Sequence, residues 1–342
     1  MASSVTTEYG DISPRTAAYA AVDFLERGQP RLLTERFGQP KPIPQKHSKV
    51  ISFRRFEALD TVEAPLAEGV PPSGHRLTIT DRTATLEQFG DFTEITDVIQ
   101  DTHEDPVFRE ANGVLSEQAA QTIELVRISH LKAGTNVFYA GTGTTRLTVD
   151  AAPARKDFRK IVRGLNRYNC VTIEEIVKAS AKIDTEPVNP AYFAMCHTDL
   201  KSDLRGMTGF IEVKNYSDSD KGQPGEVGSE EDVRICASTM FEPWQNATTA
   251  TSTTYLSGGA VVTAAATSDV YPIIVVGKNA YGIVPLQGKN AVKIMAMNPN
   301  QTDKTDKLGQ IGYVAWKMYQ AVCILNQNWM ARLEALCTAN PT

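Results

Sequence analysis

Apolar residues recur at helical spacing most clearly over residues 104–133, where Val107, Ala111, Val114, Leu115, Ile123, Val126 and Leu131 build one stripe. Asp101, Glu104 and Asp105 place negative charge at its start, Pro106 takes a first-turn position, and Gly134 closes it. A helix of about 30 residues would measure about 45 Å, which is long for a globular domain. Phe158, Ile161, Val162 and Leu165 predict a second helix, and Thr172 with Glu175 three residues on predicts a third through a capping box. The runs Val50–Phe53 and Arg76–Thr80 are rich in β-formers. Ala64-Pro65 and Gly69-Val70-Pro71-Pro72-Ser73-Gly74 between them are turn chemistry, so residues 47–96 read as a long hairpin excursion. Tyr192–Cys196 and Val270–Val276, the latter with Pro272 near its start, read as buried strands. Residues 311–337 carry Tyr313, Trp316, Tyr319, Val322, Ile324 and Trp329, and the break at Asn326-Gln327-Asn328 favours two strands.

Two segments do not read as ordinary domain. Residues 1–46 look like an arm. Ser13-Pro14 opens a short helix with Ala20, Ala21, Phe24 and Leu25 on one stripe, ending near Gly28. Pro40, Pro42 and Pro44 then impose extended backbone. Such an arm has little core of its own and needs a neighbour to pack on. Residues 247–268 carry no charge and are mostly Thr, Ala, Ser and Gly; a hairpin turned at Gly258-Gly259 and a disordered segment both fit.

Composition narrows the function. A chain of 342 residues with 42% hydrophobic and 22% charged residues can bury a substantial core without disulfides or metals. Its net charge of −5 argues against a groove-reading nucleic-acid protein. The longest basic patch, Arg155-Lys156 through Arg159-Lys160 to Arg163, reads as one face of a helix. Cys170, Cys196, Cys236, Cys323 and Cys337 form no Cys-x-x-Cys pair and read as reduced, buried thiols. Residues 1–20 show no signal peptide, and no run of 18 apolar residues predicts a membrane span.

The search for chemistry returns structural readings. Tyr139–Thr145 is Gly-rich but lacks the ending of a phosphate loop and reads as a turn. Asp101, His103, Glu104 and Asp105 cluster, yet they sit where acids favour a helix dipole. Asp218 and Asp220 lack calcium-loop spacing, the five histidines fit no triad or metalloprotease pattern, and Asn246-Ala247-Thr248 is a sequon without a secretory route. No catalytic residue, cofactor or metal is expected.

A set of stretches stands in order along the chain: Thr96-Asp97, Glu104-Asp105-Pro106, Glu117–Ile123 and Leu131–Gly141, then His197–Leu200, Asp203-Leu204-Arg205 and Pro224–Gly228. Val270-Tyr271-Pro272, Gly277–Gly282, Leu308-Gly309-Gln310 and Trp316-Lys317 complete it. Taken in order and spacing, the chain from about Tyr9 to Leu336 resembles the N4-like family of phage major capsid proteins, which have the Hong Kong 97-type fold. The sequence departs from the family at Lys307, where proline is usual, at Glu231-Asp232, where a Gly-rich pair is common, and in an enlarged 247–268 segment.

The resemblance implies an α+β subunit. Residues 1–46 would be its N-arm and 47–96 an extended loop reaching over a neighbour. Residues 97–150 and 310–342 would form a peripheral domain with its spine helix at about 104–133, and 151–309 an axial domain. It implies a virion protein, assembled in the bacterial host cytoplasm, that forms hexamers and pentamers of an icosahedral head. That head would enclose double-stranded DNA held non-specifically. A portal protein is an implied partner, there is room for separate scaffolding and decoration proteins, and no membrane is involved. Residues expected at contacts between subunits are Phe24, Leu25, Pro40, Pro42, Pro44, Phe53, Pro65, Leu66, Val70, Pro71, Pro72, Leu77 and Ile79. Some shells of this fold are cross-linked through a lysine in the extended loop. No lysine occurs here between Lys49 and Lys132, so non-covalent shells are expected. The competing readings are a bacterial nanocompartment shell, which shares the fold but holds protein cargo, and an enzyme of unknown class.

Overall fold

The computed structural model describes residues 6–7, 33–43, 48–61, 65, 69, 74–102, 107–178, 184–216, 222–223, 225–249, 251–252, 255–258, 266–285, 292–299, 301 and 306–339. In chain order it begins with β1 (Thr6–Thr7), α1 (Thr34–Phe37), β2 (Gln39–Pro40), β3 (Val50–Phe56), β4 (Ile79–Thr85) and β5 (Glu87–Thr96). Next come α2 (Asp97–Thr102), α3 (Val107–Lys132), β6 (Val137–Tyr139) and α4 (Arg155–Arg167). The middle of the chain holds β7 (Ile173–Lys178), β8 (Asp184–Cys196), α5 (Lys201–Arg205), β9 (Ile211–Glu212), β10 (Glu226–Glu230) and β11 (Val233–Ala237). The last part holds β12 (Thr251–Ser252), β13 (Ala266–Thr267), β14 (Tyr271–Val276), β15 (Tyr281–Pro285), β16 (Val292–Met297), β17 (Ile311–Ile324) and β18 (Met330–Ala335).

Two sheets organise these elements. One runs β1-β5-β17-β15-β2, with β16 also on β17; the other runs β6-β18-β14-β8-β11-β10-β9, with β7 on β8. β17 and β18 follow each other through a turn at Gln327–Trp329, so the end of the chain ties the sheets together. Pro272 is tolerated inside the second sheet because β14 pairs with β8 only from Ile274 onward, leaving the proline opposite Glu334 of β18 alone.

Side-chain alternation explains the layers. On one face of the second sheet, Tyr192, Ala194, Ile235, Ile273, Val275 and Leu333 pack against Phe158, Ile161, Val162 and Leu165 of α4. On the other face, Phe193, Met195, Cys236, Ile274 and Val276 meet Leu33, Phe37, Ile128, Leu131, Phe241 and Tyr281. The 26 residues of α3 span about 39 Å. The N-terminal half of α3 lays Leu115, Ala119 and Ile123 on Val314, Trp316 and Met318 of β17, while its C-terminal half enters the core of the second sheet.

Several expectations change. The helix expected from Thr172 is a strand, β7, in which Ile173 and Ile176 are buried and the backbone pairs with β8. α4 ends at Arg167, and Asn169 with φ of 51° turns the chain out before a new helix can start. Residues 87–96, expected inside the excursion, form β5, which pairs with β17 along its full length. Residues 33–43, expected in a coreless arm, contribute Leu33, Phe37 and Ile43 to the interior, and Phe37 stacks on Phe193 at 4.4 Å. The helix expected between Pro14 and Gly28 lies outside the described residues. The uncharged segment pairs Thr251–Ser252 with Ala266–Thr267 as a hairpin, and Gly258 turns with φ of 59°.

Candidate functional site

No metal-ligating cluster of three or more His, Cys, Asp or Glu occurs among the described residues. His103, Glu104, Asp105, Asp218 and Asp220 lie outside them. The Gly-rich stretch after β6 is a tight turn: Asp150 accepts from the Thr142 N–H at 3.0 Å and its hydroxyl at 2.6 Å. A Cβ on Gly141, whose φ is 78°, would collide with that carboxylate. Two arginines on the basic face of α4 are paired: Arg155 meets Glu230 at 2.7 Å and Arg159 meets Glu231 at 2.6 Å. No helix among the described residues is long and apolar enough to cross a membrane.

What the molecule presents instead is a projecting hairpin. β3 and β4 pair from Val50↔Thr85 to Phe56↔Ile79. Ile51, Phe53 and Ala84 share the face turned to the body, where Phe53 and Ala84 meet Ile43, Val284 and Ala321. Phe53 also sits against Gly282, where a Cβ would come 2.7 Å from its ring, and lies under Lys41 at 5.2 Å. Arg55 lies over Trp329 at 5.0 Å. The opposite face carries Val50, Phe56 and Ile79, all exposed, and Leu59 and Leu77 beyond the strands are exposed too. Arg54 grips Asp81 across this face with two bonds of 2.9 Å; that partner raises the Arg54 pKa and lowers that of Asp81. Thr80 donates to Glu57 at 2.7 Å.

The expected contact residues therefore divide. Leu77, Ile79 and Pro65 are exposed on the hairpin. Phe53 is corrected to an interior residue, because its strand face is the one that rests on β15 and β17. Pro40 and Pro42 are half-buried, with β2 paired to Gly282 and Ile283 of β15, so the extended backbone that the prolines impose docks within the chain. Phe24, Leu25, Pro44, Leu66, Val70, Pro71 and Pro72 lie outside the described residues. Sequence reasoning missed Phe56, Leu59 and Phe92, which are 59%, 50% and 61% exposed. Phe56 was legible in principle, since it shares strand parity with Val50 and not with Phe53.

Two buried polar clusters lie within the body. Glu124 of α3 is 1% exposed and accepts from the Leu33 N–H at 3.0 Å, the Thr34 N–H at 3.1 Å and the Thr34 hydroxyl at 2.6 Å. The carboxylate thus satisfies the first donors of α1, a task normally done by a local cap. Tyr281 donates to the Thr34 carbonyl, and Arg127 meets Glu35 at 3.2 Å. Burial raises the pKa of Glu124, partly offset by those bonds. The second cluster is Glu334 of β18, fully buried, gripped by Arg146 through two bonds of 2.8 Å and flanked by Arg332 at 2.9 Å. Arg332 also donates to the Lys132 and Gly134 carbonyls, fastening the end of α3 to β18. Arg146 stacks on Trp244 at 3.6 Å and, with Lys132 and Met240, borders a cavity of about 400 Å³.

The described residues thus form two tied sheets, a long helix that reaches both, and a hairpin covered on one face. Comparison with known proteins then gives the family. Residues 80–332 match the phage capsid protein family, more than half of the chain, and the chain belongs to that family. It is 23% identical over 275 residues to the major capsid protein of Pseudomonas phage KPP21, covering 73% of this chain and 66% of that relative, just under two thirds of its length. Among solved structures it resembles the capsid of Ralstonia phage GP4, with a TM-score of 0.63 and 11% identity over 99% of this chain and all of that one. It also resembles the capsid of cyanophage P-SCSP1u, with a TM-score of 0.61 and 14% identity over 94% and 93% of the two chains. The mixed α+β fold is thus that of phage capsid subunits.

Proposed function

We propose that this chain is the major capsid protein of a tailed phage, of Hong Kong 97 type and N4-like descent. Copies of it assemble as hexamers and pentamers into the icosahedral head around double-stranded DNA. The observation that carries this reading is the hairpin β3–β4, which rests one face on its own body and leaves Phe56, Ile79, Leu59 and Leu77 in water. An isolated two-stranded hairpin is marginal in water, so an exposed apolar face on one calls for a covering partner. In a shell of identical subunits that partner is another copy. Many modest contacts of this kind add up by multivalency.

In this reading α3 is the spine helix and β17 belongs with it to the peripheral domain, although the first sheet also takes in β15 and β16 from the stretch 151–309 assigned to the axial domain. The layer of α4, β8, β11 and β14 is the axial domain. The portal, a scaffolding protein, a decoration protein and the packaged DNA are partners of the assembled head, which is built in the host cytoplasm. The test is electron microscopy of the protein expressed with its phage partners. Closed shells containing six-fold and five-fold capsomers are expected; a monomer or small ring under every condition would overturn the reading.

A further inference from the structure

The C-terminal half of α3 borders the cavity of about 400 Å³, a size within the range of small-molecule sites. Its lining has two characters. Leu125 and Ile128 of the helix, with Met240 and Trp244 from the segment after β11, supply apolar walls. Ile128 is buried, whereas Leu125 is 43% exposed and leaves an apolar side chain in water beside the cavity. Lys132 follows Ile128 by four residues and Ser129 by three, so helical spacing brings its amine to the same side. Arg146 and Glu242 complete the polar part of the lining.

Charge in this lining is out of balance. Lys132, Arg146 and Arg332 lie over the Trp244 ring at 5.4, 3.6 and 5.5 Å. The two arginines share one buried carboxylate, Glu334. Lys132 has no ion pair among the described residues; its amine donates to the Glu242 carbonyl at 2.6 Å. Burial lowers the Lys132 pKa, the Glu242 carboxylate offsets only part of this, and Arg146 lowers it further. Glu242 is exposed, so its carboxylate is free to face water. Arg146 holds Glu334 through Nε and Nη2, and its Nη1 has no partner among the described residues. The negative end of the α3 dipole does not cancel the excess, because Arg332 already caps the Lys132 and Gly134 carbonyls.

We propose that this cavity binds a carboxylate carried on an apolar stem, with Lys132 and Arg146 taking the carboxylate oxygens and Leu125, Ile128 and Met240 the stem. The match is one of charge and of surface. A desolvated amine without a counter-ion gains from an incoming anion, and an exposed leucine gains from being covered. A bare phosphate would answer the charge and leave the apolar wall in water; an ammonium would add to the repulsion. The inference goes beyond the shell reading and does not depend on it. Two sources carry this chemistry: a free short-chain acid, and a carboxylate side chain of another chain in an assembled particle.

Calorimetric titration of the purified protein with hexanoate tests this. Saturable binding is expected, with acetate about tenfold weaker or more for want of a stem, and with hexylammonium, the same stem bearing the opposite charge, silent. Lys132→Met should weaken hexanoate about tenfold or more, and Lys132→Arg should keep most of the affinity. Glu242→Gln should strengthen binding by removing a competing acid. Circular dichroism checks that each variant folds. Should Lys132→Met not fold, Ser129→Trp decides: it fills the cavity, leaves both cations in place and should abolish binding. No saturable binding of hexanoate to wild type up to about 10 mM would overturn the inference. Equal binding of acetate or of hexylammonium would do so too, as would wild-type affinity in Lys132→Met or in Ser129→Trp. The same titration on assembled particles separates the sources. Binding to dispersed and assembled protein alike supports a free acid as the ligand. Binding to the dispersed protein alone supports a side chain of another chain filling the cavity in the particle.

Discussion

At Glu124 a single carboxylate holds the entry of the chain to its longest helix, and its substitution separates two effects. Glu124→Ala strands two backbone N–H groups and the Thr34 hydroxyl in a buried site. Leaving buried donors unsatisfied costs about 1–3 kcal/mol each at most, so a loss of about 2 kcal/mol or more is expected. Glu124→Gln keeps an acceptor oxygen and should cost less. The pH dependence has a definite sign. Burial raises the folded-state pKa of Glu124 above the ordinary 4.5, so the folded chain binds this proton more tightly than the unfolded chain. Its contribution is therefore fully present below that value and fades as pH rises through the raised one. Urea titrations across this window should show the slope in the wild type and its absence in Glu124→Gln. A second residue-scale prediction concerns the thiols. Burial pushes Cys170 and Cys196 up to about 12 and also raises Cys236, Cys323 and Cys337, so all five should resist alkylation at pH 8 until the protein is denatured. Mass spectrometry of rapidly labelled native protein would contradict this by showing modified Cys170 or Cys196. Of the five thiols expected to be buried, Cys170, Cys196, Cys236 and Cys337 are, while Cys323 is only half-buried. Glu124 was not legible in the sequence, because its partners lie about ninety positions away, as the Leu33 and Thr34 bonds show.

Among the elements, legibility followed how cleanly each one separates a buried face from a wet one. α3, α4 and the two final strands were readable because their apolar positions keep period over many residues. β5 was missed because its face under α3 carries Phe89, Asp91 and Thr93 while its open face carries Gln88, Gly90 and Phe92, so alternation is blurred on both sides. The Thr172 capping box misled because the next residues pair with β8, and pairing outweighs a local cap. The hairpin and the arm yield the element-scale prediction. Replacing residues 60–74 with a short Gly-Ser linker should leave the melting temperature within a few degrees of wild type, yet abolish shells. Deleting residues 1–46 should instead destabilise the fold, because Leu33, Phe37 and Ile43 are interior; the informative arm deletion stops at residue 32. Normal shells from both the linker variant and the 1–32 deletion would show these segments to be ornamental.

At the scale of the whole molecule, the proposed shell is predicted to be held by contacts and not by bonds. β3 is seven residues long, so its far end at Phe56 stands about 23 Å from Lys49. This is shorter than a twelve-residue strand would give, and still beyond the reach of that side chain. A lysine-free tip offers no amine to attack a neighbour's amide. Denaturing electrophoresis of mature particles should show one band near 37 kDa; a ladder that survives boiling and reductant would refute this. The net charge of −5 and the paired Arg155 and Arg159 of α4 predict weak contact with DNA, which in the proposed head would let condensed DNA slide during packaging. Isolated capsomers should therefore bind duplex weakly in mobility shifts, and tight, salt-sensitive binding would count against it. The most direct test of the account is electron microscopy of the protein assembled with its phage partners. Closed shells with six-fold and five-fold capsomers, each hairpin lying on a neighbouring copy, are the predicted result. Particles that stop at monomers or small rings, or shells in which every hairpin folds back on its own subunit, would contradict it.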